Sequence, residues 1–299
     1  MKFIKRAALR VAAVGVLAAG VAAVTAPMAA QAATITGPGT SVTFSGTGGD
    51  YITQDQAWSY DPTNSAISAT VSSDGNHVSV DISGATYWHL DFAAPQGQAL
   101  TTGTVYDNAE RYPFQSPTAP GLSLWGDGRG CNTLTGSFTV KNATFGPHGW
   151  IQSFDATFVQ HCEGDPNSAA TGEVVLNNGP APADLAVTVT PAATDSVSHA
   201  SGQAVITGTV TCNRAATVDL SGTLDQRLTR TSLATGNWSV SGVACTTTPT
   251  PWSATVAPQG NIPFGEGQAQ VNGTYSSFDP VFQYTVTGTF SQDVMLRHS

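Results

Sequence analysis

Apolar and polar residues alternate with period two through much of the chain, the spacing of a strand with one buried face. Leu134, Phe138 and Val140 alternate with Thr135, Ser137, Thr139 and Lys141, and Phe154, Ala156 and Phe158 share a face ahead of Cys162. Val78, Val80 and Ile82 alternate with His77, Ser79 and Asp81. In the run from Tyr87 to Phe92, Trp88, Leu90 and Phe92 lie on one face, expected to be core. Tyr87, His89 and Asp91 lie on the other, an aromatic, an imidazole and a carboxylate in a row pointing outward. Val42 and Phe44 hint at a first strand, and further strands are expected at 66–71 and 171–176, with a mixed polar and aromatic stretch at 105–114 and Leu122-Ser-Leu-Trp125 leading into the glycine-rich stretch that follows it. A second series is expected at 185–189, 204–212, 217–224, 237–245, 252–256, 269–275 and 281–290, with Gly-, Pro- or Asp-rich turns between. Past residue 32, helical periodicity nowhere persists for three turns. The pattern therefore predicts an all-β protein.

The turns divide it. Asn177-Asn-Gly-Pro-Ala-Pro-Ala-Asp184 has the composition of a linker. It separates a first β-sandwich-like domain, 33–178, from a second, immunoglobulin-like β domain, 185–299, with 179–184 as the connection. Each is long enough to bury its own core.

Four cysteines frame these units: Cys131, Cys162, Cys212 and Cys245. Three pairings are open. Sequence order favours Cys131–Cys162 and Cys212–Cys245, one bridge inside each domain. A zinc site of four cysteines is disfavoured, because no CxxC spacing occurs. Around the first pair, Gly146-Pro-His-Gly149 signals a turn between two strands. A ladder setting Cys131 opposite Cys162 sets Phe138 against Asp155, whereas setting Phe138 against Phe154 needs a one-residue shift. A one-residue slip exchanges faces, so both demands cannot hold in a regular ladder. We therefore expect Cys131 in the glycine-rich loop just outside its strand, the alternative being a bulge between.

The first 32 residues read as an export signal. Lys2, Lys5, Arg6 and Arg10 form a basic start, an Ala/Val-rich apolar run follows, and Ala30-Gln31-Ala32 offers a small-residue cleavage site. The run is shorter than the ~20 residues of a membrane span. The expected location is extracellular, with no membrane association after cleavage. The whole chain carries 11 Lys+Arg and 20 Asp+Glu, net −9. Removing four basic residues leaves seven against twenty, net −13, with Lys141 the remaining lysine. Such a surface repels nucleic acid and anionic lipid.

Candidate chemistry is sparse. G-x-S-x-G is absent, the six histidines form no H-x-H or H-E-x-x-H, and no D-x-[DN]-x-[DN]-G loop is present, so no serine-hydrolase, metal or cofactor site is signalled. Asp127-Gly-Arg-Gly-Cys-Asn132 is expected to be a tight turn, with Asp127 and Asn132 capping backbone donors, rather than an ion site. A glycosidase needs two carboxyl groups about 5–10 Å apart. Asp91, Asp107, Glu110, Asp127 and Asp155 are candidates that sequence cannot bring together. A binding surface is easier to justify: Tyr87, His89, Asp91, Arg111, Tyr112 and Trp125 combine aromatic faces with hydrogen-bonding groups. The competing expectation puts Trp125 and Tyr112 in the core and leaves the Tyr87 face as plain surface or packed on the second domain. Trp238 and Trp252 are expected in the core.

Leu90-Asp-Phe-Ala-Ala-Pro95, Arg111-Tyr-Pro-Phe-Gln115, Gly126-Asp-Gly-Arg-Gly-Cys-Asn132 and Phe158-Val-Gln-His-Cys-Glu-Gly164 resemble a β module of secreted bacterial proteins, found alone or beside immunoglobulin-like domains. The second half, with Cys212-Asn213, Leu224-Asp-Gln226 and Val243-Ala-Cys245, is similar to small disulfide-bonded β domains of secreted actinobacterial proteins. Neither family has an assigned activity, so the resemblance implies fold and compartment and carries over no catalytic residue. The expectation is a secreted, non-catalytic binding protein for a polysaccharide or cell-wall surface. The alternatives are an extracellular carboxylate-dependent hydrolase and a structural or matrix protein. Ligand identity and oligomeric state are left open.

Overall fold

The computed structural model describes residues 33–299, so the expected export segment lies outside the described residues. The described chain is all-β. The first part contributes β1 (Ala33–Thr34), β2 (Ser41–Thr47), β3 (Ala57–Tyr60), β4 (Ala66–Val71), β5 (His77–Ser83), β6 (Tyr87–Ala93), β7 (Thr104–Arg111), β8 (Gly121–Gly126), β9 (Leu134–Phe145), β10 (Ile151–Cys162) and β11 (Ala169–Asn177). These form one eleven-stranded sheet in the order β1-β4-β5-β6-β8-β7-β9-β10-β11-β2-β3. The sheet curls on itself. Phe44 on β2 meets Trp88 on β6 with ring centroids 4.9 Å apart, and Phe92 on β6 meets Phe154 on β10 at 5.5 Å. These strands are far apart in sheet order, so the contacts close a sandwich-like core. Trp88, Leu90 and Phe92 are fully buried in it, as their shared face predicts. Burial of one such side chain is worth ~1.5–3 kcal/mol. The Trp88 indole N–H finds a partner in the Tyr60 hydroxyl at 2.7 Å.

The second part contributes β12 (Val187–Pro191), β13 (Thr194–Val197), β14 (Ala204–Cys212), β15 (Ala216–Arg227), β16 (Leu233–Cys245), β17 (Thr250–Val256), β18 (Gly267–Asp279) and β19 (Tyr284–His298). They build a second sheet around a separate core. Trp238 and Trp252 are buried there and stack at 5.4 Å. Sequence reading missed β13, whose four residues offer a single large apolar side chain, Val197. Parallel pairing with the end of β19 holds it in place. Residues 178–186 carry no strand. The two parts touch where His148 stacks on Tyr284 at 4.5 Å and its Nε2 lies 3.1 Å from Asp184 Oδ1.

Both disulfides follow sequence order, Cys131–Cys162 with Cα atoms 5.1 Å apart and Cys212–Cys245 at 5.4 Å. Cys131 lies in the loop before β9, as expected. The hairpin register differs from both ladders considered above. Phe138 pairs with Phe158, Cys162 pairs with Leu134, and a bulge falls between Asp155 and Ala156. The turn is a short 3-10 segment, Pro147–Gly149, further along than Gly146-Pro147, the centre that both of those ladders require. That displacement and the bulge together keep Phe138, Phe154 and Phe158 all in the core. Both devices escape a count of parity along either strand.

Candidate functional site

The site grows from the hairpin of β5 and β6. Because Val78, Val80 and Ile82 face the core, His77, Ser79 and Asp81 face the other side. Antiparallel register sets Asp81 opposite His89 and Ser79 opposite Asp91. On the next strand, Trp125 lies opposite His89 and Ser123 opposite Asp91. Gly126 ends β8 against β6, where a Cβ would stand 2.5 Å from the Trp88 ring, so only glycine permits this approach. A buried glutamine fixes β8 from within. Gln160 Oε1 accepts a hydrogen bond from Leu124 N–H at 2.7 Å, and its Nε2 donates to the Leu124 carbonyl at 3.0 Å. The side-chain amide thus stands in for a missing strand partner.

On this framework the polar side chains form one hydrogen-bonded chain. The Tyr87 hydroxyl donates to Asp81 Oδ1. His89 Nδ1 donates to the same oxygen at 2.8 Å. His89 Nε2 lies 3.1 Å from Asp91 Oδ2, with Ser79 Oγ at 3.4 Å. His77 Nε2 lies 2.8 Å from Asp91 Oδ1, and its Nδ1 lies 3.3 Å from the Tyr112 hydroxyl. Six residues run in line with a tyrosine at each end, and Ser79 branches from His89.

The geometry sets the charges. Both nitrogens of His89 face carboxylate oxygens, so both carry protons. Burial opposes that charge, but hydrogen bonds and attraction from Asp91 and Asp81 outweigh it and raise the His89 pKa to about 9. Burial likewise works against Asp91, yet His77 and His89 hold its carboxyl below the usual range. Tyr87 is pushed up to about 12 by burial first and then by its bond to Asp81. Burial, and secondarily the Asp91 charge, raises Tyr112.

Over this chain lies an open groove of about 780 Å³, lined by residues including His77, His89, Asp91, Arg111, Tyr112, Ser123, Trp125 and Arg129. Trp125 leans on His89 at 4.9 Å and remains 39% exposed, so it is not a core residue. Tyr112 stacks on His77 at 4.2 Å. Arg111 Nη1 donates to the Asn132 carbonyl at 3.2 Å, and among the described residues no carboxylate pairs with its guanidinium.

Of the six sequence candidates, His89, Asp91, Arg111, Tyr112 and Trp125 line the groove, and Tyr87 stands beside it against Trp125 at 5.6 Å. Asp91 departs from expectation in one respect: it points to the non-core face but is only 5% exposed, covered by its histidine partners. Sequence reading passed over His77, Asp81, Ser79, Ser123 and Arg129. The period-two pattern already placed the first three residues' face, and the turn over residues 84–86 sets Ser79 opposite Asp91 and Asp81 opposite His89.

Nearby, the Gly126–Asn132 stretch is a turn, with Gly126 N–H donating to the Arg129 carbonyl at 3.0 Å. The capping differs from expectation. The Asp127 carboxylate pairs with Arg129 at 3.1 Å, and the backbone acceptor is Glu163, which takes the Asn132 N–H at 2.8 Å. Of the five carboxylates considered for hydrolysis, only Asp91 lines the groove. Asp107 and Glu110 line a different groove on β7, and Asp155 is on β10 near Lys141. Among the described residues no set of three or more His, Cys, Asp or Glu is arranged to hold a metal ion, and no helix is long and apolar enough to cross a membrane. No family model matches the chain, and no curated protein matches it.

Proposed function

We propose that this is an exported, non-catalytic binding protein whose first domain holds a glycan of a polysaccharide or cell-envelope surface in the groove over β5, β6 and β8. One observation carries the reading: two aromatic rings, the exposed Trp125 and the half-buried Tyr112, flank a floor of fixed hydrogen-bonding groups in an open groove. Flat rings suit the apolar faces of sugars, and the ordered imidazoles, hydroxyls and carboxylate suit their hydroxyl groups. The basic, Ala/Val-rich start of the chain supports export, and two disulfides suit an oxidising compartment. The resemblance to secreted modules, with an immunoglobulin-like second domain, belongs to the same reading.

The carboxylate-hydrolase alternative has less support. A glycosidase acid needs a carboxyl group held protonated, whereas imidazoles hold Asp91 ionised. A pull-down of residues 33–299 on cellulose, chitin and purified bacterial cell walls tests the proposal. Retention that Trp125→Ala abolishes in a folded protein supports it. Absence of retention on every matrix removes it in favour of a structural role or a protein partner.

A further inference from the structure

The groove has two aromatic stations. His77 and Asp81 stand four residues apart on one face of β5, which spans ~13 Å at ~3.3 Å per residue. Tyr112 stacks on the His77 end. Trp125 leans on His89, the cross-strand partner of Asp81, at the other end. Between the stations, Ser79, Asp91 and Ser123 form one cross-strand row. Each ring has one face against an imidazole, and both line the groove. Phe114 extends the Tyr112 end. It is 72% exposed, and the Arg111 guanidinium lies 5.0 Å from its ring centre.

One sugar ring can cover one station only. Reaching from the Trp125 ring to the Tyr112 ring, over two imidazoles with the Asp91 carboxylate between them, requires linked rings with hydroxyl groups over the serine and aspartate row. Building on the saccharide reading above, we infer that the ligand is a linear oligosaccharide stretch bridging both rings, and that a monosaccharide is not the unit recognised.

Calorimetric titration with gluco- (β-1,4), N-acetylglucosamine (β-1,4) and galacturonate (α-1,4) oligomers of increasing length tests this. Affinity should climb about tenfold or more from monosaccharide to bridging length and then level off, the scale of one added aromatic stack or slightly more. Trp125→Ala and Tyr112→Ala should each lower the longer oligomer towards the monosaccharide value, while Tyr112→Phe, which keeps the ring, should retain the length dependence. Thermal unfolding identifies any variant that has lost its fold. Equal affinity for monomer and oligomer overturns this inference and leaves the saccharide reading standing. So does retention on a polysaccharide matrix without binding to any of the three series. Failure on both oligomers and matrices overturns both.

Discussion

His77 Nε2 lies 2.8 Å from Oδ1 of Asp91, a carboxylate only 5% exposed on the non-core side of the sheet. With His89 on its other oxygen at 3.1 Å, Asp91 is the hinge of the hydrogen-bonded chain. Replacing Asp91 with Asn removes the charge that holds two imidazoles and turns an acceptor into a donor facing N–H groups. The expected cost is ~1–3 kcal/mol in urea unfolding, with the His89 pKa falling in an NMR titration. An unchanged His89 pKa would show that Asp91 does not govern the chain.

Stability should depend on pH through His89. Its folded pKa, about 9, lies above the ordinary histidine value of 6.5. The folded state therefore binds the proton more tightly, and the stabilisation is complete below about pH 6.5 and lost as pH rises through about 9. Urea unfolding across that window should show falling stability, and His89→Gln should flatten the fall. Asp91 acts in the opposite sense. Its lowered pKa gives stability that is present at neutral pH and lost as pH falls below the ordinary carboxylate range.

Gln160→Leu should be more damaging than its position on a strand suggests. The glutamine is fully buried and satisfies both the N–H and the carbonyl of Leu124. A leucine leaves those backbone groups unpaired, at ~1–3 kcal/mol each. Because Leu124 neighbours Trp125, the variant should also weaken groove binding. Thermal unfolding and titration check the two effects separately.

Removing the Cys131–Cys162 bridge by paired serine substitution should cost ~3–4 kcal/mol in the loop-entropy description. The ends of the loop are also joined through Glu163, Asn132 and Thr133, so local order should survive better than global stability. Hydrogen exchange at Asn132 against the unfolding midpoint distinguishes the two.

Much of this architecture is legible in the sequence because period-two alternation is a local signal. It gives the Trp88, Leu90 and Phe92 core face, most strands and the polar face of His89 and Asp91. The hairpin register is less legible, because the Asp155–Ala156 bulge and the displaced turn each alter the pairing without altering composition. The partners of His89 were half visible. His77, Ser79 and Asp81 show their face in the alternation, but their meeting with Asp91 depends on a hairpin register. Gln160 gave no signal, since a polar residue in a strand reads as surface until the strand beside it proves to lack a partner. Tyr112 and Trp125 could not be assigned to core or surface, because that depends on how the sheet curls.

The most direct measurement is NMR shift mapping of residues 33–299, labelled at tryptophan indole and histidine ring nitrogens, during titration with a cellotetraose and chitotetraose pair. The account predicts shifts at Trp125, His77 and His89, with Trp238 and Trp252 unmoved. Shifts confined to the residues after 184, with Trp125, His77 and His89 unmoved, would contradict it.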